Sequence, residues 1–117
     1  MGTLVKTTLD RAIALKVEGN YPDAIAELRA ILRESPDCSE AHHQLGLVFG
    51  FTGEFEDSLA ELKRAADLDP SSIPIQNDLA LTYAMLGMYD EAKAGFEEVL
   101  RRDPANEVAL KNITFFS

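Results

Sequence analysis

Apolar positions recur along the chain at intervals of three and four, the spacing that puts side chains on one face of a helix. From Thr3 to Glu18 the residues Leu4, Leu9, Ile13 and Val17 share a face, with Val5, Ala12 and Leu15 beside it. Gly19 is expected to end that helix by taking a left-handed backbone. Asn20 is then a candidate cap for a second helix, with Pro22 in its first turn and Asp23 as a capping-box partner. Tyr21, Ala24, Ile25, Leu28, Ile31 and Leu32 give this helix an apolar stripe, and Ser35-Pro36 stops it. The same logic predicts a helix from a cap at Ser39 to Thr52, a turn at Gly53-Glu54, and a helix from about Phe55 to Leu68 before Asp69-Pro70. A third pair begins after Ser71-Ser72, accommodates Pro74 in a first turn, and runs through Gly87 to Asp103-Pro104. Asn106 is placed to cap a last helix, whose Ala109, Ile113 and Phe116 face what precedes them. The pattern therefore predicts seven helices in an all-α fold.

The pairs keep a strict interval. Pro36, Pro70 and Pro104 stand 34 residues apart, as do Gly19, Gly53 and Gly87, the aromatics Tyr21, Phe55 and Tyr89, and the small residues Ala24, Ser58 and Ala92. Leu28, Leu62 and Phe96 follow the same interval, and a fixed period of this length marks a helical repeat array. Two units carry a fuller set in register: Leu45, Gly46, Phe49, Gly53, Phe55, Ser58, Leu62, Ala65 and Pro70, then Leu79, Ala80, Tyr83, Gly87, Tyr89, Ala92, Phe96, Val99 and Pro104. These positions resemble the tetratricopeptide repeat. The first unit keeps Ala12, Leu15, Gly19, Tyr21, Ala24, Leu28 and Pro36 but has Arg11 where the pattern has Leu, as first repeats often depart from the consensus. The resemblance implies a right-handed superhelical array within a single domain over 1–117, with units at about 5–38, 39–72 and 73–106 and a capping helix at about 107–117. Gly46, Ser58 and the alanines at 12, 24, 80 and 92 are the small residues that allow close backbone approach. Gly95 stands out as a weak point of its helix, costing roughly 1 kcal/mol against Ala where solvent-exposed.

The resemblance also implies that the first helix of each pair lines a concave groove that holds an extended peptide or a helix. The facing positions are then Lys6, Leu9, Ile13, Lys16 and Val17 in unit one, and Glu40, His43, Leu47, Gly50 and Phe51 in unit two. Unit three contributes Pro74, Asn77, Leu81, Ala84 and Met85, and the cap Val108, Lys111 and Phe115. A core needs Leu45, Gly46 and Phe49, but not Leu47 and Phe51 on the opposite side, nor Leu81 and Met85. Helices apolar nearly all round are expected to be covered on both sides, and an exposed apolar stripe marks an interaction surface. Ile13, Lys16, Val17, His43, Leu47, Phe51, Asn77, Leu81, Met85 and Lys111 are accordingly the candidate groove residues. Chaperone-binding members of the family clamp a carboxylate with Lys and Asn, where this chain has Leu9, Ile13, His43 and Leu47. The expected ligand is instead an apolar or amphipathic protein segment. The alternative is self-assembly through the groove or through Phe115 and Phe116.

Composition narrows the classes. Twenty acidic against 11 basic residues give a formal charge of −9, the wrong sign for nucleic acid or an anionic membrane surface. The longest unbroken apolar run, Leu45 to Phe51, is too short to span a bilayer, and the start has no signal-peptide core. One cysteine, Cys38, leaves no intramolecular disulfide, so a cytoplasmic setting is the default expectation. Cys38 lies beside Asp37 and near Glu40, poor surroundings for a catalytic thiolate. His42 and His43 are adjacent and cannot chelate one ion as an i, i+4 pair could; His42, at a position where the repeat carries a bulky aromatic, is expected to pack. No phosphate loop, nucleophile elbow or metal-spaced set occurs, so neither an enzyme nor a cofactor is expected.

Overall fold

Three glycines close the helix pairs. Gly19, Gly53 and Gly87 hold φ at 80°, 81° and 76°, a region that a side chain resists. Beyond each, the next N–H donates back to a carbonyl of the finished helix: Asn20 to Leu15 at 2.9 Å, Glu54 to Phe49 at 2.8 Å and Met88 to Tyr83 at 2.9 Å. This wrapped ending satisfies carbonyls that the helix leaves open. The other helix ends are set by proline. Ser35, Asp69 and Asp103 take φ of −137°, −136° and −138°, the extended backbone that a following proline imposes.

The computed structural model describes residues 2–116, with side chains from residue 6 to residue 116; the expected roles of the Leu4 and Val5 side chains lie outside that range. The order is α1 (Gly2–Val17), α2 (Tyr21–Glu34), α3 (Ser39–Phe51), α4 (Phe55–Leu68), α5 (Ile73–Met85), α6 (Tyr89–Arg102) and α7 (Glu107–Ile113), followed by a short 3-10 turn at Thr114–Phe116. The described residues are all-α, and the pairs stack as a superhelical array. Each helix packs on its neighbour in sequence, and α3 also touches α1 and α5. The result is elongated, 43 × 26 × 21 Å. No helix among the described residues is long and apolar enough to cross a membrane.

The second helices bury one stripe each, in phase: Ala24, Leu28 and Ile31; Ser58, Leu62 and Ala65; Ala92, Phe96 and Val99. Between α3 and α4 the backbones approach closely. A Cβ at Gly46 would sit 2.7 Å from Leu62 Cγ, and Ser58 Oγ donates to the Gly46 carbonyl at 2.7 Å. Gly95 plays a comparable part rather than being merely a weak point, because a Cβ there would lie 3.0 Å from the Ala80 Cβ. The helix-propensity loss is the consequence of a contact between α5 and α6.

Two expected caps are used differently. Asn20 makes no side-chain bond to its helix backbone and donates to Asp23 Oδ2 at 2.9 Å. Ser39 lies inside α3, and its hydroxyl donates to the Ala65 carbonyl at 3.3 Å, tying unit two to its own second helix. Asn106 does cap α7, accepting from the Ala109 N–H at 3.0 Å. His42 does more than pack: Nε2 lies 2.8 Å from the Pro36 carbonyl oxygen and Nδ1 2.7 Å from Glu61. One unit later, Gln76 donates to the Pro70 carbonyl at 2.8 Å, so both residues fasten a unit to the proline turn before it.

Candidate functional site

The candidate groove residues of the three units lie on α1, α3 and α5. Val17, Phe51 and Met85 occupy the same place near the ends of these helices, one per unit, and are 79%, 62% and 63% exposed. They are the most open of the candidate apolar groove residues. Ile13, Leu47 and Leu81 are half-buried beside them. Phe51 is not loose, since its ring stacks on Tyr21 of α2 at 5.9 Å between centroids and 19° between planes. A large apolar ring held this way presents area with little ordering cost.

Beside the apolar row runs a polar seam. Lys16 Nζ donates to Gln44 Oε1 at 2.6 Å, linking α1 to α3. His43 Nε2 lies 2.7 Å from Asp78 Oδ2, linking α3 to α5. Asn77 donates to Asn106 Oδ1 at 3.0 Å, linking α5 to the cap of α7. Burial lowers the Lys16 pKa, with attraction to Asp78 acting in the opposite direction. Three candidate groove residues, Lys16, His43 and Asn77, are therefore engaged within the chain. Asn77 is 5% exposed, so it is buried rather than open surface, and its Oδ1 has no partner. Lys111 is exposed on α7.

Gln44 and Asp78 are not among the positions that the family resemblance implies. Asp78 nevertheless carries a sequence signal, being the one charged residue of α5. It also lines a cavity of about 230 Å³ between α3, α4 and α5, together with Leu47, Phe51, Leu81, Thr82 and Met85. A second, wider cavity of about 630 Å³ lies at the other end, between Ala84, Tyr89, Lys93 and the terminal Phe115 and Phe116. There Phe116 turns inward, 6.1 Å from both Phe96 and Tyr89, whereas Phe115 is 77% exposed. The adjacent histidines diverge, His42 to Glu61 and His43 to Asp78. Among the described residues no group of three His, Cys, Asp or Glu side chains could hold a metal ion.

Two tetratricopeptide repeat family models match the chain, one over residues 9–73 and the other over residues 52–112. The chain belongs to the tetratricopeptide repeat family. Solved tetratricopeptide structures share its fold. The first such domain of Spaghetti (RPAP3), bound to an HSP90 peptide, superposes with a TM-score of 0.90 at 17% identity, covering 95% of this chain and 88% of that one. The second domain of human RPAP3, in complex with an HSP70 peptide, gives 0.89 at 21%, covering 97% and 95%. A mutant O-GlcNAc transferase of Thermobaculum terrenum gives 0.89 at 24%, covering 96% of this chain. The chain spans only 22% of the transferase's length. No curated protein matches it in sequence. In this tetratricopeptide array α7 occupies the place of a fourth unit's first helix, which is why Ala109 is fully buried against α6 while Leu110 remains 47% exposed.

Proposed function

We propose that this tetratricopeptide array is a non-catalytic module that binds an apolar or amphipathic segment of a partner protein in its concave groove, without a cofactor. The observation that carries the reading is the row Val17, Phe51 and Met85, open at one position of three successive first helices. Isolated exposed apolar residues are ordinary, but a contiguous row on one face is not. Units at about 5–38, 39–72 and 73–106, with the cap at about 107–117, act together as one binding domain, and Ile13, Leu47 and Leu81 supply its apolar depth. A cytoplasmic setting suits a chain with a single cysteine.

Related folds have been solved with the peptides SRMEEVD and SGPTIEEVD. An acidic segment of that kind suits this groove poorly. The whole chain carries −9, and Lys16 on the floor already donates to Gln44. The test is a pull-down with purified chain, comparing wild type with Phe51→Glu and Met85→Glu. Both variants should keep the helical circular dichroism spectrum and lose the captured partner. Undiminished capture by both would remove the groove assignment.

A second reading, self-association, rests on Phe115, which is 77% exposed beside the wide terminal cavity. Stacked repeat arrays can join through faces that resemble their internal interfaces. Light scattering behind a sizing column, over a concentration series, separates the two readings: a monomer throughout supports the foreign ligand, and association that Phe51→Glu or Phe115→Ser abolishes supports the copy.

A further inference from the structure

The cavity between α3, α4 and α5 has an unusual lining. Its walls are apolar at Leu47, Phe51, Leu81 and Met85, and one carboxylate, Asp78, stands among them. The two hydroxyls in the lining are already spent as donors. Ser58 donates to the Gly46 carbonyl at 2.7 Å and Thr82 to the Asp78 carbonyl at 2.8 Å. Their oxygens, like the Asp78 carboxylate, can only accept further hydrogen bonds. Among the described residues no lysine, arginine or histidine lines the cavity. An occupant must therefore bring donors, and it must be apolar along most of its length.

On that basis we infer that the groove selects partners by a basic side chain, arginine above all, inserted between α3 and α5 with its stem against Leu81 and Met85 and its guanidinium at Asp78. This rests on the groove reading given above and specifies its ligand. Four features agree on it. The volume, about 230 Å³, falls below the ~300–1,000 Å³ of sites that enclose a whole small molecule, and suits one long side chain. His43 holds Asp78 Oδ2 at 2.7 Å, which fixes the carboxylate in place and leaves its second oxygen for the ligand. The ring of Phe51, fixed by Tyr21, lines the same cavity and offers the apolar stem a flat wall. Finally, a formal charge of −9 raises the encounter rate of a basic segment and lowers that of an acidic one.

Lys16 on α1 is attracted to Asp78. It does not fill the site, because its amine is bonded to Gln44 at 2.6 Å and it is not part of the lining. Its charge does set a limit, so a single ligand cation rather than a basic cluster is the matching chemistry.

The experiment titrates isotopically labelled protein with acetyl-Ala-Leu-Arg-Leu-Ala-amide and with two counterparts carrying citrulline or norleucine in place of arginine. Citrulline keeps the shape and removes the charge. The arginine peptide should bind at least tenfold more tightly than the citrulline peptide, with amide shifts centred on Asp78, Leu81 and Met85. Asp78→Asn, which preserves the side-chain shape, should erase that preference. Equal affinity for arginine and citrulline peptides on the wild-type protein would overturn the inference without reference to any variant. Should only the norleucine peptide bind, and lose affinity in Phe51→Glu, the apolar groove stands and the basic specificity falls. If none of the three binds at millimolar concentration, both fall.

Discussion

At the scale of single residues, Lys16 is the clearest case of a side chain whose surroundings change its chemistry. Its amine donates to Gln44 on the next first helix, and burial there disfavours the charged form. The pKa in the native state lies below the ordinary lysine value of 10.5, so between those two values the unfolded chain binds more protons than the native one. Stability must then rise with pH across that window. Urea unfolding from pH 8.5 to 10.5 should show wild type gaining on Lys16→Met as the pH increases. A constant difference between the two proteins would mean that the amine is as well solvated as in the unfolded chain.

At the scale of helices, contact between neighbours is governed by which residues lack a side chain, and three glycines on helix faces separate the cases. A Cβ at Gly46 would overlap the branched end of Leu62, at 2.7 and 2.9 Å, and approach the Ser58 carbonyl at 3.3 Å. One at Gly95 would press on the Ala80 Cβ at 3.0 Å, an atom with no rotamer to move. At Gly50 the nearest atom would be Ser58 Oγ at 3.7 Å, an ordinary contact. Alanine gains roughly 0.5–1 kcal/mol over glycine in a helix, and overpacking costs typically ~1–3 kcal/mol. Chemical denaturation should therefore order the alanine variants with Gly50→Ala above wild type, Gly95→Ala near it and Gly46→Ala below. A Gly46→Ala protein as stable as Gly50→Ala would show that α3 and α4 can separate freely.

At the scale of the molecule, the chain is a row of units in which each helix depends on its immediate neighbours, so the ends matter as much as the centre. Unit one closes on Leu9, Ala12, Leu28 and Leu45, and the far end on Ala80, Phe96, Val99 and Ala109. The second group needs the terminal turn. Phe116 lies against Phe96 and Tyr89, both at 6.1 Å, and Phe115 points away. Replacing Phe116 with serine should lower stability by about 1–2 kcal/mol and the thermal midpoint by several degrees. The same change at Phe115 should leave the midpoint almost unmoved, and equal effects at both positions would contradict the inward turn. Any test of self-association through this end is consequently cleaner at Phe115 alone, because loss of Phe116 also loosens the cap.

The period, the seven helices and most of the small residues at close contacts were legible in the sequence, because each answers a local backbone requirement. Glycine is needed where φ is positive at 19, 53 and 87, proline sets the extended residue before it, and a helix face repeats every three or four residues whatever it packs on. The family resemblance, rather than periodicity, put Phe51 and Met85 among the residues facing outward, and both are exposed. Tertiary structure alone decided how the polar residues are spent. Lys16 meets Gln44, His43 meets Asp78 and Asn77 meets Asn106 across separations of 28, 35 and 29 residues, and those pairings depend on helix crossing and rotamer, which a repeat pattern does not encode. For the same reason His42 bonds across to Pro36 and Glu61 where the pattern implied packing, and Gly95 is a contact where it looked like a defect. The charge of Asp78 could be read along the chain, but its place in the wall of an apolar cavity exists only once α3, α4 and α5 are packed together.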